Sequence, residues 1–528
     1  MRAVSTLHAM CHQTMSEGLR LADLLSGLSI VSDLGYGLPI ETALRSCLIG
    51  TTVARQMDLP EREVVDVFYV SLLFHVGCVA YAQETFELFG DDQAVRRAAV
   101  ETDLSDVRDI FATLIPRATR GLPPTARVRG AVRMALTGRA FGKAHDQASC
   151  EVARTVSRRI GLPDTVGNSL YDIHEWWNGG GARSLRGEHI ARPARIARVA
   201  TEASELLSLG ARDVADALRQ RAGKTLDPAV VEYLASTCAA FVAEATSGDP
   251  RARVLDAEPL PVVQIGEGDL PRIARAFGEL ADLKTSFTHG HSAAVTGLSL
   301  ATAGRLGVDR QTSATLEIAG YLHDLGRIGI SNRIWAKPGP LTGGEWEQVH
   351  LHPYHSERVL ASTATLKPMA RIAGMHHERI DGSGYYRGCR GKDIDIATRV
   401  LACADAFEAM TQRRPHRAAM EPGQARDALL GEARAGKLDP EVVAAVLDAS
   451  HVPPARRQHL RPGGLSDREL EVLRLVSEGC SNPEIGRRLG ISRRTAEHHV
   501  QHIYDKIGVS TRAAAVLFAL EHDLLLRR

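Results

Sequence analysis

Residues 376–388 read HHERIDGSGYYRG, and an earlier stretch, IHEWWNGGG at 173–181, repeats the spacing of its small and apolar positions. Shared spacing over such a distance indicates an internal duplication. The chain is therefore predicted to contain two copies of one domain. Two further pairs of segments align in the same way: SLLFHVGC (71–78) with GYLHDLGR (320–327), and GEHIARPARIARVATEASEL (187–206) with GKDIDIATRVLACADAFEAM (391–410).

Apolar residues recur at intervals of three and four along both copies and beyond them, as in TSATLEIAGYLHDL and ELEVLRLVSEG. This spacing is typical of amphipathic helices, and no stretch alternates in the manner of a strand. Aromatic residues make up only 5% of the chain. The sequence therefore predicts an all-α fold.

At 528 residues the chain is too long for a single hydrophobic core. Two segments rich in Pro and Gly, 246–270 and 451–464, are predicted to be linkers. They divide the chain into three predicted domains, namely 15–245, 271–450 and 465–528.

The overall composition excludes several classes of protein. The formal net charge is only +1, so a basic surface for nucleic acid must be local. The eight cysteines are scattered singly, which favours a reducing compartment over a disulfide framework. We found neither a signal-peptide pattern nor an apolar run long enough to span a bilayer. These observations predict a cytoplasmic protein with no membrane partner.

The central domain contains acids and histidines inside otherwise apolar helical stretches. An acid between leucines, as in LHDLG, is costly to bury unless it is paired or binds a cation. Imidazole and carboxylate ligands together suit iron, manganese, zinc, cobalt or nickel. Two adjacent ions with a bridging carboxylate would activate water for phosphoester hydrolysis. The candidate ligands are His291, His323, Asp324, His352, His376, His377 and Asp405.

These motifs, together with KPGPLTGGEWEQVHLHP (337–353), resemble those of the HD-GYP family, a branch of the HD phosphohydrolases, from about 285 to 448. The resemblance implies a helical bundle that holds two or three metal ions, commonly iron or manganese. It also implies hydrolysis of cyclic di-GMP or a related cyclic dinucleotide.

The resemblance assigns roles to individual residues. Asp324 would bridge the two ions, and Phe287 occupies the place of the glutamate found in three-metal members, so two ions are expected. One ion would be bound by His291, His323, Asp324 and Asp405, and the other by His352, His376 and His377. Asp324 and Arg327 are expected to be catalytic. The residues expected to contact substrate are Arg327, Tyr385, Arg414 and Arg417.

Two departures from the family pattern lie close to the predicted substrate site. Arg327 replaces the lysine that follows the His-Asp pair, and Tyr386 replaces the proline of the GYP motif. Neither departure removes a metal ligand. They leave an alternative open, in which the domain binds a nucleotide as a sensor with little or no turnover.

The N-terminal copy lacks most of the ligands. The His-Asp pair becomes His75-Val76, the second pair becomes Ile173-His174, and Thr201 replaces the final aspartate. The copy is therefore predicted to be a degenerate HD-GYP-like domain with a structural or dimerising role. The alternative is a regulatory pocket for a small molecule.

Residues 465–526 resemble the LuxR-type helix-turn-helix module over its full length, and the resemblance implies a small domain of four helices. Ser466 and Ser481 are predicted N-caps, the latter in a capping box with Glu484. A basic helix follows the turn LGIS, and such helices enter the major groove of DNA. The residues predicted to contact DNA are Arg493, Arg494, Thr495, His498, Gln501, His502 and Lys506. Such modules usually bind as dimers, so the whole chain is predicted to be a homodimeric transcriptional regulator with a phosphodiesterase domain.

Overall fold

The computed structural model describes residues 18–120, 123–211, 213–237, 247–266, 268–450 and 462–525. Across these ranges helices are the predominant secondary structure, which confirms the all-α prediction. Within them the strands are a single short antiparallel pair, Leu19–Arg20 with Gln264–Ile265.

The first half of the chain forms a helical bundle with one unusually long helix, Pro124–Arg159. Short helical turns at Val107–Asp109, Ile110–Leu114 and Ile115–Ala118 precede that helix. The other helices of this half are Leu21–Tyr36, Thr42–Gln56, Glu61–Leu72, Ala82–Phe89, Asp92–Val100, Asp164–Asp172, Arg192–Ser208, Val214–Arg221 and Pro228–Ser236.

The second half forms another bundle, preceded by the helix Pro250–Ala257, which lies in the segment predicted to be a linker. That segment contacts the first bundle, since Arg20 donates to Glu258 at 2.8 Å. The helices of the second bundle are Leu270–Asp282, His291–Arg305, Arg310–Leu322, Asn332–Trp335, Gly343–Ala361, Lys367–Gly374, Ile396–Thr411, Pro422–Arg434 and Pro440–Ser450.

The two bundles share their internal arrangement, as the aligned sequences predict. In each, one helix packs against two others that carry the aligned segments. The sets are Thr42–Gln56 with Glu61–Leu72 and Arg192–Ser208, and His291–Arg305 with Arg310–Leu322 and Ile396–Thr411.

Matching hydrogen bonds support the duplication. Glu175 accepts two backbone N–H groups from the loop that follows it, at 2.8 and 3.0 Å. Glu378, its aligned counterpart, accepts two at 2.7 and 2.9 Å. Arg195 and Arg399, also aligned, each pair with an aspartate, at 2.6 and 2.9 Å. The loop after the second histidine pair is thus built in the same way in both copies.

A buried ion pair joins the bundles. The Lys284 ammonium lies 2.9 Å from the Asp92 carboxylate, and both side chains are almost completely buried. Asp92 also accepts hydrogen bonds from the Ser331 hydroxyl and the backbone N–H of Asn332, at 2.9 and 2.8 Å. Burial alone would raise the pKa of Asp92, but Lys284 and Arg96 hold that pKa below its ordinary value. One continuous apolar core also extends through both bundles.

Contrary to the expectation from the sequence, the segment Glu61–Phe89 is long and apolar enough to cross a membrane, although 89% of its most apolar window is buried inside the structure. The core helices of globular bundles are often as apolar and as deeply buried as this segment.

The C-terminal domain has the four helices that the sequence predicts, around a small core of its own. Ser466 and Ser481 are N-caps, each in a capping box with the glutamate three residues later, which confirms both predictions. The helices are Asp467–Ser477, Asn482–Leu489, Arg493–Ile507 and Arg512–Glu521. Most of the predicted linker 451–464 lies outside the described residues.

The C-terminal domain packs against both bundles. Arg275 of the second bundle pairs with Asp523 at 2.7 Å. His289, two residues before His291, donates its Nδ1 proton to the Ser477 carbonyl at 2.6 Å. From the first bundle, Glu151 accepts from the Thr511 hydroxyl at 2.7 Å.

Candidate metal centre and nucleic-acid interface

The seven predicted metal ligands converge at one place in the second bundle, although they come from five separate segments. His291 begins a helix, whereas His323 and Asp324 directly follow one. His352 and Asp405 lie within helices. All seven residues are buried, except that His377 is partly buried. Two groups have ligand atoms close enough to hold an ion: His291, His323 and Asp324, and His352, His376 and His377.

The Asp324 carboxylate lies between these two groups. Its Oδ1 atom is 3.4 Å from Nε2 of His352 and 3.7 Å from Nε2 of His376. Its Oδ2 atom is 3.7 Å from Nε2 of both His291 and His323. Each oxygen therefore faces a different group of imidazoles, which is the arrangement a bridging ligand requires.

Three of the histidines are oriented by their own helices. The Nδ1 atoms of His323, His352 and His376 lie 2.7, 2.6 and 2.6 Å from the carbonyl oxygen three residues earlier. A carbonyl oxygen only accepts, so Nδ1 carries the proton and Nε2 presents a lone pair.

These lone pairs point at one another. Nε2 of His352 is 3.3 Å from Nε2 of His376, and both of these nitrogens are acceptors. Nε2 of His323 is buried with no hydrogen-bond partner among the described residues. A cation between such nitrogens removes the conflict, so the donor set fits divalent metal ions.

The protonation states suit metal binding. Burial lowers the pKa of His352 to about 3 and that of His376 to about 4, so both imidazoles are neutral at pH 7. Burial alone would raise the pKa of Asp324, but Arg327 and the surrounding histidines hold it well below its ordinary value. The centre thus offers neutral imidazoles and an ionised carboxylate, the forms that ligate metals.

The predicted substrate arginines differ in their surroundings. Arg327 lies 3.3 Å from Asp324 and 4.0 Å above the Trp335 ring, so its guanidinium is fixed beside the centre. Arg414 faces the same region, and burial together with Arg327 lowers its pKa to about 10. Arg417 instead donates to the Met410 carbonyl at 2.9 Å and to other carbonyl oxygens near the C-terminal end of the helix Ile396–Thr411.

The glycine-rich loop packs its two tyrosines differently. The Tyr385 ring stacks between His350 and His377, with centroid distances of 4.1 and 4.7 Å. Tyr386 donates its hydroxyl to Glu357 on the helix Gly343–Ala361. Glu378 organises this loop from a buried position, a role that the sequence analysis missed. A glutamate occupies the same position in both copies, as Glu175 and Glu378, and this shared residue was the available signal.

The first bundle keeps fewer ligands, as predicted. His75 Nε2 lies 3.0 Å from the Glu205 carboxylate, and its ring stacks on Tyr36. Thr201 shares a hydrogen bond with Ser46 at 2.7 Å. Among the described residues of this bundle, no group of three potential ligands approaches closely enough to hold an ion.

The predicted DNA-contacting residues lie on the exposed face of the helix Arg493–Ile507. Arg494 has no ion-pair partner among the described residues. Arg493, in contrast, pairs with Glu497 at 2.7 Å, and Lys506 pairs with Glu469 at 2.7 Å. The same face also presents Thr495, His498, Gln501 and His502.

Comparison with family models identifies two regions of the chain. Residues 275–442 match the HD domain, and residues 464–519 match the LuxR family of bacterial regulatory proteins. The first match contains all seven candidate ligands, and the second contains the exposed helix.

Curated relatives extend the likeness beyond the HD domain. The 3'3'-cGAMP-specific phosphodiesterase 3 of Vibrio cholerae is 30% identical over 441 residues, which cover 82% of this chain and 95% of that protein. A cyclic di-GMP phosphodiesterase of Thermotoga maritima is 39% identical over 172 residues, which cover 32% of this chain and 46% of that protein.

A solved structure gives the same result. The crystal structure of a cyclic GMP-AMP specific phosphodiesterase of V. cholerae (V-cGAP3) superposes with a TM-score of 0.58 at 26% identity. The alignment covers 83% of this chain and 99% of that one, so both helical bundles have counterparts in a known enzyme fold.

Proposed function

We propose a function for this chain on the basis that it belongs to the HD-GYP phosphodiesterases, which are metal-dependent hydrolases of cyclic dinucleotides. The proposed protein is a cytoplasmic, homodimeric DNA-binding regulator whose second bundle hydrolyses such a nucleotide. The observation that carries the proposal is the buried Asp324 carboxylate between two groups of lone-pair-bearing imidazoles. The donor set and the family favour two ions, iron or manganese.

Divalent ions held by these residues would supply the Lewis acidity that activates water and neutralises phosphate oxygens. The protein's own groups complete the site. Asp324 separates the two ligand groups, and the neutral imidazoles keep their lone pairs directed inward. Arg327 and Arg414 place positive charge where a non-bridging phosphate oxygen would lie, and a guanidinium suits this role because it donates several hydrogen bonds. Tyr385 offers a flat surface next to the ligands for a base.

We favour a 3',3'-cyclic dinucleotide as substrate. The relative that matches both bundles is named for 3'3'-cGAMP, whereas the cyclic di-GMP phosphodiesterase of T. maritima matches about a third of this chain. Cyclic di-GMP has the same ring and the same two phosphodiester bonds, so both nucleotides should be tested together.

The C-terminal domain would read DNA through the helix Arg493–Ile507, which is exposed. It contacts the second bundle at His289, two residues from the predicted ligand His291. Nucleotide or metal binding that moves His291 would therefore also shift the hydrogen bond between His289 and Ser477. This contact supports a regulator in which the state of the phosphodiesterase domain changes operator affinity.

The test combines metal analysis with turnover by the purified full-length protein. We expect two metal ions per chain and a linear dinucleotide product from 3'3'-cGAMP or cyclic di-GMP. Asp324→Asn keeps the shape of the side chain but removes its charge. Changes to residues that only support metal ligands already lower metal affinity or activity about 10- to 100-fold, so turnover should fall at least about 100-fold. Asp381→Asn, an exposed acid in the nearby loop, is the matched control and should retain activity.

The alternative is a nucleotide sensor with little or no turnover. It is favoured by the fixed position of Arg327 between Asp324 and Trp335, and by the attachment of Tyr386 to Glu357. Tight nucleotide binding by metal-loaded protein without product would establish this alternative and refute the hydrolase.

A further inference from the structure

A large cavity lies in the first bundle, which holds no candidate metal group among its described residues. Its volume is about 580 Å³, within the range of small-molecule sites. The helices Asp92–Val100 and Pro124–Arg159 contribute to its walls, together with residues 174–181. Val107 and Phe111 line it and are 65% and 55% exposed, so the cavity opens to solvent beside them.

The cavity occupies the place that the metal centre has in the second bundle. Its lining includes His174, which aligns with His377, and Glu205, which holds His75. Val76 and Thr201 stand where the second bundle has Asp324 and Asp405. The cavity therefore borders the position that corresponds to the metal centre, where this copy lacks most of the ligands.

Aromatic side chains supply much of the apolar lining. Phe74, Phe111, Phe141 and Trp176 contribute to it. Aromatic faces bind flat rings with a favourable geometry in addition to the area they bury. The cavity is therefore suited to a molecule with an apolar ring.

The acids of the cavity are all paired. Asp103 lies 3.3 Å from a lysine, and Asp146 lies 3.2 Å from a histidine. Glu202 lies 3.0 Å from an arginine, and Glu205 lies 3.0 Å from His75. Asp103 and Glu202 are thus neutralised by fixed cations, whereas the histidines beside Asp146 and Glu205 balance those charges only when protonated.

Two cations of the lining are not paired. Arg139 and Lys143 are one helical turn apart on Pro124–Arg159, and neither has an ion-pair partner among the described residues. The Thr225 hydroxyl, on a side chain 6% exposed, likewise lines the cavity without a hydrogen-bond partner in the part of the chain described. Arg139 and Lys143 are therefore available to an anionic group, and the Thr225 hydroxyl is available for a further hydrogen bond.

We propose that the first bundle binds a small organic anion with a flat apolar ring in this cavity, its charge on Arg139 and Lys143 and its ring among the aromatic side chains. The ligand needs no metal, because the ligands that would hold one are absent from this copy. The site is separate from the phosphodiesterase centre and would serve as an effector site.

The probe for the test is 8-anilinonaphthalene-1-sulfonate, which combines two aromatic groups with one anionic group and fluoresces when bound. Titration of the full-length protein should give one saturable site per chain. The double variant Arg139→Ala/Lys143→Ala should bind about tenfold or more weakly, because a charge-assisted hydrogen bond contributes about 1.5–3 kcal/mol. The uncharged analogue N-phenyl-1-naphthylamine should not distinguish this variant from the wild type.

Three single variants on the same helix locate the probe. Ala135→Phe fills the cavity entrance from an exposed position and should weaken binding as strongly as the double variant. Arg129→Ala removes an exposed charge outside the lining, and Leu136→Ala removes an apolar side chain that is 79% exposed and outside it. Both should bind like the wild type. Equal affinity in all variants, or a loss with Leu136→Ala but not Ala135→Phe, would overturn the proposal.

Discussion

Replacing Lys284 by methionine should lower the free energy of unfolding substantially, although Lys284 touches no predicted ligand. Methionine keeps most of the apolar stem but removes the ammonium that lies 2.9 Å from Asp92. Breaking a buried ion pair typically costs 3–5 kcal/mol because the remaining charge is left uncompensated. Asp92 keeps Arg96 at 3.6 Å and two hydrogen bonds, so we expect the lower end, about 3 kcal/mol.

The reverse change should cost more. Asp92→Asn leaves the Lys284 ammonium, 1% exposed, without the negative charge that compensates it, so about 5 kcal/mol is expected. Urea unfolding followed by tryptophan fluorescence measures both losses. Lys437→Met is the control, since Lys437 pairs with Glu432 on the surface and should cost less than about 1 kcal/mol.

The double variant Lys284→Met/Asp92→Asn completes a thermodynamic cycle. It removes both charges of the pair and leaves only Arg96 without its carboxylate, and Arg96 still donates to the Gly35 and Cys78 carbonyl oxygens. Its cost should therefore be below the sum of the two single costs. Strictly additive losses, or single losses below about 1 kcal/mol, would refute the idea that this pair holds the bundles together.

Three further predictions concern other parts of the molecule. Arg494→Ala should weaken DNA binding on specific and unrelated sequences alike and reduce the salt slope by about one, measured by fluorescence anisotropy with Arg434→Ala as control. Burial raises the pKa of Glu84 to about 7, so the folded state binds more protons than the unfolded state between about pH 4.5 and 7. The free energy of unfolding should therefore fall as the pH rises through this window. Glu84→Gln should remove roughly 2 kcal/mol of this pH dependence, measured by urea unfolding. Tyr385→Ala should raise KM for the cyclic dinucleotide more than Tyr385→Phe does, because only phenylalanine preserves the stacked ring, and equal KM values would contradict a base-stacking role.

The fold class and the residues that meet at the centre could be predicted because each leaves a local mark. An acid or histidine inside an apolar helical pattern, such as Asp324 or Asp405, is conspicuous without knowledge of its neighbours. The N-caps Ser466 and Ser481 are likewise visible within four residues. The metal and substrate roles themselves remain predictions.

Other features depend on neighbours that are distant in the sequence. Lys284 reads as an ordinary lysine because its partner, Asp92, is 192 residues away. Arg417 and Lys506 read as free cations, yet one bonds to carbonyl oxygens near a helix end and the other to Glu469. The cavity in the first bundle is a volume rather than a motif, so the sequence offered a small-molecule pocket there only as an alternative.

The coupling proposed through the contact between His289 and Ser477 would act in both directions. Linkage is reciprocal: if nucleotide binding changes operator affinity by some factor, then operator binding changes nucleotide affinity by the same factor. A chain bound to DNA would then have a different affinity for the cyclic dinucleotide from a chain free in solution. DNA would be an effector of the phosphodiesterase domain, and the number of operator sites would help to set how much nucleotide the protein binds.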